Sequence, residues 1–527
     1  MAFNLADLFE TVADAVPDRV ALVSGEDRLT YAELDDRADR AAAALAAAGV
    51  GTGDRVAILS VNRAEWLETQ IAAYKLRAVP VNVNYRYTAG ELAHVIADAG
   101  CAALVGERSL VARLGPARAG LTDLRSVFVL EDGTDEEVPD ALSYADAVAA
   151  APSGRVARER SGDDLYLLYT GGTTGLPKGV MWRSEDIFFA AMGGGNMLGE
   201  PVTSLEELAA NAVAGGLSVM VNAPLMHGAG MWVAWATLTG GSKLVLWSRT
   251  SFSAEGVLEV AAREEVQALV LVGDAMARPI ADALEAGDFS LPNLFAITTG
   301  GSVTSPDVKA RLHASLPGLA VLLDAVGGSE TGVAGQAVPP GPDGTPRFLL
   351  KPDSAVLDAD LQPVKPGSDE IGVFARSGRL PLGYWKDQAK TDATFVTAPD
   401  GTRWALQGDM AKVDAEGHLV LLGRGSTVVN TGGEKVFVEE VEAALKSHPA
   451  VYDALVVGAP DERLGSRVAA VVSLTEDVSA ETLRAHCRER IAGYKVPRDV
   501  LVVDEVRRTP SGKADYGWAR KTVTPSS

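Results

Sequence analysis

The 527-residue chain is 47% hydrophobic and 22% charged, the balance of an ordinary globular protein. Its 70 acidic against 48 basic side chains leave a net charge of −22, which argues against nucleic acid or an anionic membrane surface as partner. Two widely separated cysteines, Cys101 and Cys487, match no metal-ligand spacing; the first residues lack a basic signal segment, and no uncharged apolar run can span a bilayer, so a cytoplasmic protein without membrane insertion is expected.

Length implies roughly two to four structural units. Residues 31–48 read as a helix ended by Gly49, 55–59 as a short apolar strand, and 65–75 as an amphipathic helix. A strand at 79–83, a helix at 91–98 and a strand at 102–105 follow. The alternation returns with helices at 254–264, 276–285 and 306–315 between strands at 268–272, 295–299 and 320–324. Such alternation implies parallel strands joined by crossover helices, and the continuous apolar runs fit strands buried on both faces.

From about 345 to 422 the texture changes to short segments broken by Gly, Pro and Asp, which indicates a β-rich subdomain. Beyond Arg424–Ser426 the chain reads as a small α+β unit, with a helix at 438–446, strands at 454–457 and 468–473, and a frayed tail after Trp518. The expected architecture is α/β. A large N-terminal domain of doubly wound sheets, 1–424, includes the β-rich subdomain, and a small mobile α+β C-terminal domain occupies 425–527.

The most informative segment is 165–182, where an apolar run opens into Thr170-Gly171-Gly172-Thr173-Thr174-Gly175-Leu176-Pro177-Lys178-Gly179. Glycines let the backbone approach a ligand and turn successive N–H groups toward an anion, while threonine hydroxyls and one lysine add donors and charge. It is not a Walker A loop, since no G-x-x-x-x-G-K-[ST] can be read. From residue types alone, a phosphate cradle and a plain flexible hairpin both stay open.

The order T-G-G-T-T-G-x-P-K-G closely resembles the phosphate loop of the acyl-adenylate-forming superfamily, which comprises acyl-CoA synthetases, peptide-synthetase adenylation domains and luciferases. Further segments match that family in order along nearly the whole chain. Pro224-Leu225-Met226-His227-Gly228 resembles its P-L-x-H segment beside the acyl pocket. Val326-Gly327-Gly328-Ser329-Glu330-Thr331 resembles its adenine-and-metal segment, with Val326 where the family commonly has tyrosine. Gln407-Gly408-Asp409 with Gly423-Arg424 is similar to its ribose-binding pair, Gln407 standing where threonine is usual. Gly432-Gly433-Glu434-Lys435 resembles the segment serving the second half-reaction, and Thr509-Pro510-Ser511-Gly512-Lys513 resembles the family's terminal S-G-K. Trp182-Arg183 and the 273–279 stretch favour comparison with acyl-CoA synthetases for bulky or branched acids, steroid side-chain acids among them.

The resemblance implies an ATP-dependent acid–CoA ligase with an acyl-AMP intermediate, using ATP, Mg²⁺ and coenzyme A. It implies catalysis by Lys513, Glu330 and His227, with Glu330 holding the metal. Thr170, Gly171, Gly172, Thr173, Thr174, Gly175 and Lys178 would hold phosphates, and Gly327, Gly328, Ser329, Asp409 and Arg424 the rest of the nucleotide. Gly433, Glu434 and Lys435 would serve the thiol step after rotation about a hinge at Ser426, and His227, Met231, Gly300, Gly301 and Val326 would line the acyl pocket. Met231, Trp232 and Trp235 fit a cavity wall and an ordinary core equally. The partner is a small-molecule acid, with a homodimer left open. Two other acceptors stay open as well: a carrier protein, or nitrite and an aryl amine in a diazotising reaction. No G-x-S-x-G elbow and no pair of metal-spaced histidines points to another enzyme class.

Overall fold

The computed structural model describes residues 3–170, 176–196, 199–301, 304–339, 347–424, 427–431, 434–461, 465–509 and 514–524. Two large sheets form the N-terminal part. One has the order Gly383–Tyr384, Lys178–Arg183, Leu165–Thr170, Val79–Asn82, Arg55–Leu59, Cys101–Glu107, Ser126–Leu130 and Leu142–Ser143. Its centre is parallel, and Cys101–Glu107 is buried along its whole length, as its unbroken apolar pattern requires.

The second sheet joins the parallel repeat to the β-rich subdomain through a single strand, Val321–Gly328. Its first half pairs parallel with Ala296–Thr299; its second half pairs antiparallel with Gly332–Val338. The chain therefore changes from crossover to hairpin topology at the place where Glu330 sits.

Between the two sheets lies a core built around Trp66, Tyr166, Trp182, Phe188 and Trp235. Helices Ala64–Lys75 and Gly228–Thr239 are wedged into it, so the former buries the polar Glu68, Thr69, Gln70 and Lys75 as well. Lys75, with no exposed side-chain surface, is held by Asp35 at 2.6 Å, Asp39 at 2.5 Å and Glu10 at 3.1 Å. A buried ammonium persists only with such partners.

The C-terminal part is a smaller sheet in which Val451–Asp461 and Gly465–Leu474 pair antiparallel and Asp499–Val502 joins in parallel. Its helices are Val438–Lys446, Ala480–Arg488 and Tyr516–Val523. The last corrects the expectation of a frayed tail. Asp515 caps it by accepting from the Trp518 N–H at 2.9 Å, and Ala519 and Val523 pack into the small domain's core one turn apart. Two buried contacts in eight residues are too short a period to read from sequence. Among the described residues no helix is long and apolar enough to cross a membrane.

Glu442 is enclosed in this small domain, accepting from the Val456 N–H at 2.9 Å. Burial pushes its carboxyl up to about 8, against the opposing pull of Lys446 and Arg508 and with Glu439 adding to the rise. The folded protein thus keeps a proton that the unfolded chain releases near the ordinary 4.5. Stability from this group is complete below that value and is lost as pH rises through about 8. Urea midpoints of the protein should fall across that window, and Glu442→Gln should flatten the slope; an unchanged slope in the variant would exclude Glu442 as the source.

Candidate active site

Strand ends from both sheets carry the expected residues. Leu165–Thr170 and Lys178–Arg183 form an antiparallel hairpin with Thr170 opposite Lys178, so both ends of the glycine-rich segment are held on the first sheet. Gly171, Gly172, Thr173, Thr174 and Gly175 lie outside the described residues. Lys178 is 45% exposed and pairs with Asp387 at 2.5 Å; its ammonium holds the Asp387 carboxyl below the usual range. Asp387 also caps the helix Gln388–Thr394 through the Lys390 N–H, which fixes it from a second side.

Asn82 ties this hairpin to the histidine segment. Its amide donates to the carbonyls of Tyr169 at 2.8 Å and Met226 at 2.7 Å, and its Oδ1 accepts from the Tyr169 N–H at 2.7 Å. A buried asparagine so fully used rigidifies both neighbours. His227 stands just before the helix Gly228–Thr239. That helix starts tightly: a side chain at Gly230 would lie 2.6 Å from the Pro224 carbonyl, so only glycine fits. Ala229 reaches to 3.8 Å from where a Cβ on Gly300 would sit, bringing the histidine segment beside Gly300 and Gly301.

Glu330 occupies the turn between Val321–Gly328 and Gly332–Val338. Its Oε1 accepts from the Tyr384 hydroxyl at 2.7 Å and its Oε2 from the Gln407 amide at 3.0 Å. Among the described residues it forms no ion pair. Trp182 donates from its indole to the Ser329 carbonyl at 2.9 Å, fastening the turn to the hairpin that flanks the glycine-rich segment. Arg376, buried, donates to the Thr331 and Val333 carbonyls and pairs with Asp353 at 3.0 Å, clamping the turn from behind. Gln407 also lies against Gly328, and a side chain at Gly327 would collide with the Gly332 carbonyl across the hairpin. Asp409 and Arg424 are direct partners in the ladder between Arg403–Val413 and Leu419–Arg424, so the backbone places the two side by side.

Two expected pocket residues sit elsewhere. Met231 is 2% exposed, takes a contact from the Gln70 amide at 2.8 Å, and lies in the core with Trp232 and Trp235. Its helix is apolar all round and enclosed by both sheets, which selects the core reading. Val326 packs with Ala334 and Phe348 in the β-rich subdomain, against Gly335. Strand alternation instead leaves Ala325 and Gly327 on the open face. Lys513, Gly433 and Ser426 lie outside the described residues, and Glu434 and Lys435 are described only as backbone in the strand Glu434–Val436. Sequence reading missed Asn82, Tyr384 and Asp387 as partners, because each acts across a gap in the chain that no local motif spans.

The chain is 44% identical to a 3-oxocholest-4-en-26-oate–CoA ligase of Rhodococcus rhodochrous, covering 99% of this chain and 96% of that one. It is 43% identical to a medium/long-chain-fatty-acid–CoA/3-oxocholest-4-en-26-oate–CoA ligase of Mycobacterium tuberculosis, with the same coverage of 99% and 96%. Its fold is that of a crystal structure of an anthranilate CoA ligase in complex with anthranoyl-AMP, at a TM-score of 0.86, 23% identity, and 99% and 97% coverage of the two chains. Residues 9–385 match the AMP-binding enzyme family and residues 440–513 its C-terminal domain, and the chain therefore belongs to the AMP-binding enzyme family.

Proposed function

We infer that this chain is an ATP-dependent carboxylic acid–CoA ligase working through an acyl-AMP intermediate. The observation that carries the reading is near-full-length similarity, at 44% identity, to a named acid–CoA ligase. The substrate class we propose is a bulky or branched acid, a fatty acid of medium to long chain or a steroid side-chain acid, after the names of those relatives.

In the first step the acid's carboxylate oxygen bonds to the α-phosphorus of ATP, the bond to the bridging oxygen breaks, and pyrophosphate leaves. Two anions must approach, so positive charge and N–H donors are needed at the phosphates. The 170–178 loop with Lys178 holds the phosphates in this reading, Gly327, Gly328 and Ser329 line the AMP moiety, and Asp409 with Arg424 receives the ribose. Lys513 stabilises the charge building on the reacting oxygens, and His227 gates the acyl site where Gly300 and Gly301 leave room. In the second step the coenzyme A thiol gives up its proton to solvent, its sulfur bonds to the acyl carbon, and the bond from that carbon to the AMP oxygen breaks, AMP leaving with the electron pair. That step follows rotation of a domain starting at 425 about Ser426, which brings Gly433, Glu434 and Lys435 to the site.

Glu330 suits a magnesium ion: it is a partly exposed carboxylate oriented by two neutral donors, with no cation paired to it among the described residues. When bound, Mg²⁺ neutralises phosphate charge.

A pyrophosphate-release screen over fatty, aryl and steroid acids, with and without coenzyme A, tests the reading. Turnover needing both an acid and coenzyme A is expected; nitrite-dependent turnover of an aryl amine without coenzyme A would overturn it. Asp409→Ala should raise the KM for ATP by roughly tenfold, the worth of a charge-assisted hydrogen-bond pair, and leave the KM for the acid nearly unchanged. An unaltered ATP KM would remove Asp409 from the ribose site.

A further inference from the structure

A cation–π pair joins the small domain to the large one. The Arg278 guanidinium, on helix Gly273–Ala286, lies 5.2 Å from the centre of the Tyr452 ring, at the start of strand Val451–Asp461. Arg278 is fixed before it meets the ring: its side chain is 7% exposed, with Asp274 at 3.6 Å, Asp307 at 3.7 Å and the Ser305 hydroxyl at 3.4 Å. The Ser305 N–H donates to Asp274 at 2.7 Å, tying this arginine to the chain that follows Gly300 and Gly301. A cation already held by carboxylates meets an aromatic ring at little cost in entropy.

The contact continues into the small domain. Asp453, next to Tyr452, accepts from both arms of Arg508 at 2.7 and 2.6 Å. Arg508 and Ala514 form an antiparallel backbone bridge, which brings together the two ends of the segment that includes Lys513 in the sequence. Contacts thus run from Arg278 of the large domain to Tyr452 and, through the adjoining Asp453, to Arg508 at one end of that segment.

We propose that Arg278 and Tyr452 are positioning residues that register the small domain in the orientation used for adenylation, an inference that rests on the acid–CoA ligase reading. Each orientation serves one half-reaction, so a contact made in only one of them shifts the population between them by its own free energy. Losing the ring therefore slows the first half-reaction and not the second. Keeping the ring without the hydroxyl changes neither.

The test separates the half-reactions. Tyr452→Ala should slow acid-dependent pyrophosphate release, measured without coenzyme A, by about tenfold, the order a partly buried cation–π pair supports. Thioester formation from supplied acyl-AMP should stay at the wild-type rate or rise, and Tyr452→Phe should behave as wild type in both assays. Orientation is read without catalysis by spin labels at Glu259→Cys and Glu489→Cys, exposed positions on the two domains, the native cysteines being buried. One narrow inter-label distance is expected, broadened by Tyr452→Ala and restored by Tyr452→Phe. Equal slowing of both half-reactions, or a distance distribution that Tyr452→Ala leaves unchanged, overturns the proposal. A wild-type protein that adenylates no acid would overturn the ligase reading instead, and the distance measurement would still decide the role of the pair.

Discussion

Lys513→Ala is expected to slow acyl-AMP formation by about 10²- to 10³-fold, the cost of removing one positioned electrostatic stabiliser. Thioester formation from supplied acyl-AMP should persist, because the second step breaks a mixed anhydride and expels AMP without bringing two anions together. The contrast with Lys178 makes the choice of lysine specific. Lys178 is half-exposed and already paired with Asp387, so part of its charge is compensated and screened before any phosphate arrives. A charge of that kind holds a substrate but adds little that is unique to the transition state. Lys513 lies in the sequence between Arg508, which holds a bidentate pair with Asp453, and Ala514; in the proposed reading it meets the nucleotide only when the small domain is docked. Single-turnover pyrophosphate release and acyl-AMP thiolysis, measured side by side, check this. An equal loss in both would remove Lys513 from the adenylation step.

Elements with complete local signals were legible in the sequence. The helix at 306–315 begins with proline in its first turn, and the strand at 55–59 is an uninterrupted apolar run; both are found with the expected bounds. The helix at 438–446 is likewise found where its apolar period put it. What escaped depended on partners distant in the chain. Nothing around Val321 announces that its strand changes from parallel to antiparallel neighbours midway, since that is decided by Ala296–Thr299 on one side and Gly332–Val338 on the other. Val326 was assigned to the pocket by its place in a motif, but the alternation of its strand turns it into the β-rich core and leaves Ala325 open. Met231 was ambiguous because an apolar residue looks the same on a cavity wall and between two sheets. The hairpin flanking the glycine-rich segment was legible as a strand opening into a loop, whereas its attachment through Asn82, Trp182 and Asp387 required the fold.

Those distant partners determine what Glu330→Gln should do. The wild-type carboxylate accepts on both oxygens, from Tyr384 and from Gln407, so an amide must present one NH₂ to a group that is now a donor. Both neighbours can adapt, since a tyrosine hydroxyl rotates and accepts as well as donates, and the Gln407 amide can turn its oxygen inward. The turn itself is held independently by Trp182 at the Ser329 carbonyl and by Arg376 at the Thr331 and Val333 carbonyls. The substitution therefore removes a negative charge with little disturbance of the backbone, and thermal stability should change by no more than a few degrees, about 1 kcal/mol. Adenylation should nonetheless fall by about 10²-fold, because the lost charge is the one a hard cation on the phosphates would bind. The Mg²⁺ concentration giving half-maximal pyrophosphate release should rise in parallel. Gln407→Ala is the matched control: it keeps the carboxylate, removes one of its orienting donors, and should cost no more than about tenfold. If Glu330→Gln adenylates within twofold of wild type across the Mg²⁺ titration, the carboxylate is a structural acceptor for Tyr384 and Gln407, and the metal must be held elsewhere.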